Sequence, residues 1–336
     1  MTSEISKKSA LFYEYPPEDG DVFGSGRRER VEGLTDLYPV VITGDNFEEH
    51  AAALGEVEVI FATWGIPSFT ERHFSAMPNL QAVFYAAGNV KSFAEPLTKR
   101  NITLVSAWDI NAIPVAEMCL SQILLSLRGY FRASRRYSEL KTHEAKSFSR
   151  SGVNGETIGL IGLGKIGTRV RKLLSTYPIK VIANDPFLTD ERASELDVES
   201  TSLNKIFERS SVVSNHIPDL QSTIGALDGS HFSAMREGAT FINTGRGAQI
   251  VEADLIEVLQ NRPDLTALLD VTLPEPPASD SPLWSLPNVV ISPHIGGTVG
   301  DEVVRLADCV IDEYERWNSG EPLEYEITVE VLATMG

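Results

Sequence analysis

The segment Glu156–Leu174, ETIGLIGLGKIGTRVRKLL, limits what this chain can fold into more than any other stretch. Thr157–Ile161 is a short apolar run of strand character, and from Lys165 the apolar residues fall at helical spacing. Between them stand Gly162, Gly164 and Gly167 as G-x-G-x-x-G. The first glycine permits a tight turn, the second lets a ligand approach the backbone, and the third allows the helix to cross the strand closely. Lys165 and Ile166 then open a helix whose leading N–H groups and partial positive charge form a seat for a pyrophosphate. The glycine pattern alone is weak, but strand before and helix after are the context a dinucleotide site requires. The next strand-like run, Lys180–Asn184, leads into Asp185, close to the roughly 20-residue offset at which a carboxylate meets the adenosine ribose hydroxyls. Asp185 would repel a 2′-phosphate and Pro186-Phe187 supplies no arginine, so the segment reads as a site for NAD in preference to NADP.

This loop begins at residue 162 of 336, so a domain-sized segment precedes it, and the length fits two domains at roughly 100–200 residues each. Upstream, apolar runs at Ser9–Tyr15, Pro39–Thr43, Val57–Trp64, Gln81–Tyr85 and Ile102–Ala107 alternate with helical patterns. Downstream, strands are predicted at Thr157–Ile161, Lys180–Asn184, Ser211–Asn215, Thr240–Asn243, Leu265–Asp270 and Val289–Ile291. One long helix is predicted over about Ile113–Glu144, with Pro114 near its start, and a last amphipathic helix over about Gly300–Asn318. Such alternation implies mostly parallel sheets with helices on both faces. The predicted fold class is α/β, with two Rossmann-like doubly wound parallel-sheet domains and an interdomain cleft, a favoured place for a ligand.

Composition excludes several functions. A net charge of −18 argues against a nucleic-acid partner, which needs clustered Lys and Arg. Glu117 and Gln122 interrupt the best apolar run, which argues against a membrane partner. The opening MTSEISKKSALFYEYPPEDG has no signal-peptide core, which predicts a cytoplasmic chain. Cys119 and Cys309 sit in helix-like apolar patterns without a C-x-x-C pair, so neither a disulfide nor a metal site is predicted.

Three later segments end strands in polar groups: TFINTGRG with Arg246, LLDVTLPEPP with Asp270 and Glu275, and ISPHIGG with His294. Ligands of a doubly wound sheet sit beyond the carboxyl ends of its strands, so all three segments point toward one crevice. Arg246 can bind a carboxylate bidentately. His294 can give or take a proton near neutrality, and a neighbouring carboxylate would fix its tautomer. Together they suit hydride transfer between a 2-hydroxy acid and its 2-oxo acid. Singly, each also reads as a surface arginine, a loop acid or a strand-end histidine, and it is their combination behind a dinucleotide loop that carries weight.

From about Gly88 to Leu323 the chain resembles the D-isomer-specific 2-hydroxyacid dehydrogenase family, through GLIGLGKIG, FINTGRG, LDVTLPEP, SPLWSLPNVVISPHIGG, NAIPVAE and NHIP. The resemblance implies His294 as acid/base, Glu275 as its partner and Arg246 as the group that holds the substrate carboxylate and polarises the reacting carbonyl. It implies substrate contacts at Ala87 and Gly88, in YAAGNVKSF. His216, Pro218, Thr244, Gly245, Asp270 and Gly296 would line the cofactor beside Gly162, Gly164, Lys165, Ile166, Gly167 and Asp185. It further implies a discontinuous substrate domain, 1–110 plus 299–336, an NAD-binding domain, 111–298, and a homodimer. Asn89-Val90-Lys91, Trp108 and Thr272 depart from the family pattern and leave the acid open; Trp64, Tyr85 and Trp108 suggest an apolar substrate side chain. Two other functions share this fold: an NAD(H)-sensing, corepressor-like binding protein and a formate- or phosphonate-type dehydrogenase.

Overall fold

The apolar runs become buried parallel strands in a computed structural model that describes residues 6–14, 20–148 and 152–334. Among the described residues the upstream strands are β1 (Lys8–Phe12), β2 (Asp36–Leu37), β3 (Val59–Ala62), β4 (Ala82–Tyr85) and β5 (Thr103–Ser106). They form one parallel sheet in the order β2-β1-β3-β4-β5. Side chains alternate between its faces: Ala10, Phe12, Ile60, Ala62, Val83 and Tyr85 pack in one core, Leu11, Val59, Phe61, Ala82 and Phe84 in the other. The second core is closed by the helix Val304–Ser319, whose Leu306, Ala307, Val310, Ile311 and Tyr314 are buried in it.

The downstream strands are β6 (Thr157–Ile161), β7 (Lys180–Asn184), β8 (Glu199–Ser200), β9 (Val212–Asn215), β10 (Thr240–Asn243), β11 (Thr266–Leu269) and β12 (Val289–Ile291). All pairings are parallel, in the order β12-β11-β10-β9-β6-β7-β8. The order reverses between β6 and β9, the switch point at which a doubly wound sheet opens a crevice for its ligand. The upstream sheet has its own reversal, between β1 and β3.

The chain divides into two compact units, the first running to Asn111 and resuming at Thr298, the second spanning Ala112–Gly297. In the first unit the Asn111 Oδ1 accepts from both the backbone N–H (3.0 Å) and the hydroxyl (2.5 Å) of Thr298, tying the outgoing chain to the returning one.

Several expectations shift. The long helix is two, Trp108–Leu127 and Tyr130–Leu140, because Gly129 turns left-handed (φ 68°) between them. Pro114 lies inside the first of these. That helix is long and apolar enough, by length and composition, to cross a membrane, but Ala116, Cys119, Ile123 and Leu127 are buried among Ile158, Leu160, Val181 and Leu268 of the second unit. Pro39–Thr43 is not a strand: pairing with β1 falls on Asp36–Leu37, and only Ile42 adds an isolated bridge to Phe12. The run from Ser9 pairs only as far as Phe12, and Tyr15 lies outside the described residues, as do Met1 to Ile5 of the opening segment. The two-residue edge strand β8 is exposed Glu-Ser and carries no apolar signal.

Candidate active site

The three loop glycines do separate jobs in the second unit. Gly162 follows β6 at φ +87°, and a Cβ there would stand 2.7 Å from the His216 carbonyl oxygen. A Cβ on Gly167 would stand 2.1 Å from the Gly162 carbonyl oxygen, so this glycine is what lets the helix Lys165–Leu174 lie against the turn. Gly164 differs: nothing lies within 4 Å of its ideal Cβ, so the space over it is open. The Thr168 N–H donates to the Gly164 carbonyl (3.0 Å), and the Ile166 and Gly167 amides lie ahead of that bond, in the first turn.

Asp185 is held beside this loop. One carboxylate oxygen accepts from the Leu163 N–H (2.6 Å), the other from the Phe187 N–H (2.8 Å), and the Phe187 ring is 76% exposed. Beneath the loop His216 is buried, and neither ring nitrogen has a hydrogen-bond partner among the described residues. Burial lowers its pKa to about 4, so the ring is neutral at pH 7. Open space above Gly164, a leading helix turn and an oriented acid are the features a dinucleotide needs, and the residues present fit that group.

β10, β11 and β12 are neighbours, so the segments after Asn243, Leu269 and Ile291 leave the sheet side by side. His294 takes a left-handed conformation (φ 55°), and Asp270 holds its loop there. The buried Asp270 carboxylate accepts from the Ser292 hydroxyl (2.5 Å) and from the N–H groups of Ile295 (3.0 Å) and Gly296 (2.8 Å). The His294 N–H donates to the Asp270 carbonyl (3.1 Å). So supported, the imidazole Nδ1 meets Glu275 Oε1 at 2.5 Å, with both side chains close to half exposed.

The Arg246 loop adjoins this pair through backbone. A Cβ on Gly247 would stand 2.0 Å from the Thr272 carbonyl carbon, which places the turn after Arg246 directly on the Thr272–Leu273 peptide leading to Glu275. The half-buried Arg246 guanidinium donates from Nη1 to the Gly245 carbonyl (2.7 Å), back along its own loop. The structure thus joins the imidazole to its acid and brings the arginine's backbone alongside. Pro218 lies on the loop after β9, where its carbonyl accepts from the Thr223 hydroxyl (2.7 Å).

The Thr244 hydroxyl is buried at 3.3 Å from Cys119 Sγ, a thiol pushed up to about 11 chiefly by burial. The expected contact at Ala87 needs correction. In the first unit the Ala87 N–H is already used, donating to the Tyr85 carbonyl (2.9 Å); Gly88 N–H has no acceptor among the described residues. Of the three aromatics, Tyr85 is a core residue whose ring meets Phe93 at 4.9 Å, and Trp108 packs on the same core. Trp64, just past the end of β3, is 39% exposed. Sequence reasoning also missed the buried amides Asn215, Asn243 and Gln249, which sit under the Arg246 loop.

A doubly wound sheet with an open glycine turn, and a histidine–glutamate pair beyond the ends of its strands, is the arrangement of a dinucleotide-binding fold. The sequence profile described as "D-isomer specific 2-hydroxyacid dehydrogenase, NAD binding domain" matches residues 120–296. YoaD of Bacillus subtilis, named as a 2-hydroxyacid dehydrogenase, is 35% identical over 240 residues, covering 68% of this chain and 67% of that protein. The D-3-phosphoglycerate dehydrogenase of Archaeoglobus fulgidus is 32% identical over 232 residues, 69% of this chain but 44% of the relative, so the match takes in less than half of that longer protein. The apo crystal structure of Rhodotorula graminis D-mandelate dehydrogenase shares the fold, with a TM-score of 0.79 and 21% identity, covering 96% of this chain and 97% of that one. The chain belongs to the D-isomer specific 2-hydroxyacid dehydrogenase family.

Proposed function

We propose that this protein is an NAD-dependent oxidoreductase that interconverts a D-2-hydroxy acid and its 2-oxo acid. The observation that carries this reading is the 2.5 Å pair of His294 and Glu275, beside the Arg246 loop and in the same sheet as the phosphate turn. Gly162, Gly164, Lys165, Ile166 and Gly167 would hold the pyrophosphate and Asp185 the adenosine ribose. His216, Pro218, Gly245, Asp270 and Gly296 are assigned to the rest of the cofactor, with Thr244 contributing backbone only. Bound NAD(H) supplies the hydride donor or acceptor. The Asp185 carboxylate, with no arginine in Pro186-Phe187 beside it, supports NAD over NADP.

The protein's own part is proton transfer and carboxylate binding. Glu275 accepts from Nδ1–H of His294, which leaves Nε2 as the acid/base nitrogen. In reduction, protonated His294 gives its Nε2 proton to the carbonyl oxygen as hydride arrives at C2. In oxidation, neutral His294 takes the hydroxyl proton. Arg246, once it releases the Gly245 carbonyl, presents a fork that fits the substrate carboxylate and polarises the reacting oxygen. In the first unit, taken by itself, we assign the Gly88 N–H to substrate binding and the exposed Trp64 to a substrate side chain, which favours an apolar acid. We further assign the protein to the cytoplasm, a reading that its two buried free thiols support. A homodimer is the proposed assembly, because Tyr130 and Tyr137 (each 53% exposed) and Leu140 present apolar surface on a helix with no buried residue.

The test is NADH oxidation against 2-oxo acids of graded bulk, with His294→Ala and Arg246→Lys as variants. Positioned proton transfer is typically worth about 10²–10⁴ in rate, so His294→Ala should lose at least about a hundredfold in kcat. Arg246→Lys should raise KM and slow chemistry, because an ammonium cannot reproduce the fork. Turnover by His294→Ala at the wild-type rate would remove the assignment. NADH binding with no turnover of any acid would turn the reading toward a cofactor sensor.

A further inference from the structure

Gln249 carries no role in the site described above, yet it is 1% exposed and its side-chain amide makes four hydrogen bonds at the junction of two site loops. Its Oε1 accepts from Asn215 Nδ2 (2.6 Å) and from the Arg246 N–H (3.1 Å). Its Nε2 donates to the carbonyls of Ile217 (2.7 Å) and Pro218 (3.2 Å). Two further buried amides close the network. Asn215 Nδ2 also donates to Asn243 Oδ1 (3.0 Å), which accepts from the Gly245 N–H (3.1 Å), and Asn243 Nδ2 donates to the Arg246 carbonyl (3.1 Å). A Cβ on Gly245 would stand 2.5 Å from Gln249 Oε1, so the glycine is what admits the amide.

We propose that Gln249 is a positioning residue that couples the loop after β9 to Arg246, so that seating the cofactor sets the arginine for the substrate carboxylate. This rests on the roles given to Arg246 and to His216–Pro218 under the proposed function. The chemistry favours an amide at this point. A glutamine side chain offers two donor and two acceptor sites, and all four are used here. A carboxylate would set acceptor against the Ile217 and Pro218 carbonyls, and an apolar side chain would take from the Arg246 N–H and the Ile217 carbonyl the partner they have here. A loop held on both sides by one buried amide transmits displacement, because close-packed interiors have no slack to absorb it. Movement of the Ile217–Pro218 carbonyls on cofactor binding therefore reaches the Arg246 backbone through a single side chain.

The experiment measures the dissociation constant of oxamate, a non-reducible 2-oxo acid analogue, with and without saturating NADH, by calorimetry on the full chain. Wild type should bind oxamate more tightly with NADH. Gln249→Met, similar in volume, should lose about tenfold of that tightening, of the order of one hydrogen bond, with a single cooperative melt retained. Gln249→Glu keeps the acceptors and loses the donors, and should lose the coupling likewise. A purely structural role would lower the melting midpoint of both variants and leave the ratio of the two oxamate constants intact, which overturns the proposal. So does a wild type that binds oxamate equally with and without NADH, a result that needs no variant to fold. Arg246→Lys separates the two levels. Unchanged oxamate binding in that variant removes the reading of Arg246 itself, whereas weakened binding there with intact coupling in Gln249→Met removes only the role of Gln249.

Discussion

Substituting alanine at Gly164 separates binding from folding more cleanly than any other change in the phosphate turn. Gly164 has φ −66°, a value any residue adopts, and nothing lies within 4 Å of the added methyl. The free protein should therefore accept it at a cost of about 1 kcal/mol or less, the scale of a change at a helix N-cap. The same methyl fills the space through which a pyrophosphate would approach the Ile166 and Gly167 amides. Hydrogen bonds to charged groups contribute about 1.5–3 kcal/mol each, so losing one or two weakens NADH binding by roughly ten- to a hundredfold or more. Gly167→Ala is the control of opposite kind. Its methyl would lie 2.1 Å from the Gly162 carbonyl oxygen, so the helix must move, at about 1–3 kcal/mol of stability. NADH fluorescence titration and urea unfolding on both variants make the comparison. NADH binding by Gly164→Ala within twofold of wild type, or a midpoint lowered as far as that of Gly167→Ala, would refute this role for Gly164.

Two further outcomes follow from the geometry. Burial depresses the His216 pKa from 6.5 to about 4, so between those values the unfolded chain takes up a proton that the folded chain refuses. Stability should fall as pH drops through that window, by about 3 kcal/mol at its lower end, and His216→Gln should flatten the fall. Urea midpoints measured from pH 7 to pH 4.5 check this, and an unaltered slope in the variant would reject it. Gly247→Ala, whose methyl would stand 2.0 Å from the Thr272 carbonyl carbon, should drive the Arg246 turn from the segment leading to Glu275. The expected result is a kcat/KM for 2-oxo acids at least about tenfold lower while the NADH dissociation constant holds; a variant with wild-type kinetics would contradict the proposed adjacency.

What could be read from the chain by itself was whatever short-range pattern dictates. Strand and helix runs follow from apolar periodicity, and β6, β7, β10 and β12 coincide with the runs that predicted them. The glycine turn follows from spacing, because only glycine tolerates φ +87° at 162 and a neighbour 2.1 Å from a Cβ at 167. The pairing of His294 with Glu275 was expected from a resemblance to a known family and is present at 2.5 Å. Tertiary structure alone decided what depends on neighbours distant in the chain. Periodicity does not say which side chain ends in the interior, so Tyr85 became core and Trp64 did not. A left-handed glycine at 129 broke a helix that the apolar pattern would have continued. Gln249 gave no signal at all, because a lone polar residue in GRGAQIV is indistinguishable from a solvated one until folding brings Asn215, Ile217 and Pro218 around its amide. For Tyr85, Trp64 and Gln249 the physical reason is the same: hydrogen-bond satisfaction and burial depend on what surrounds a side chain, and its surroundings come mostly from residues far along the chain.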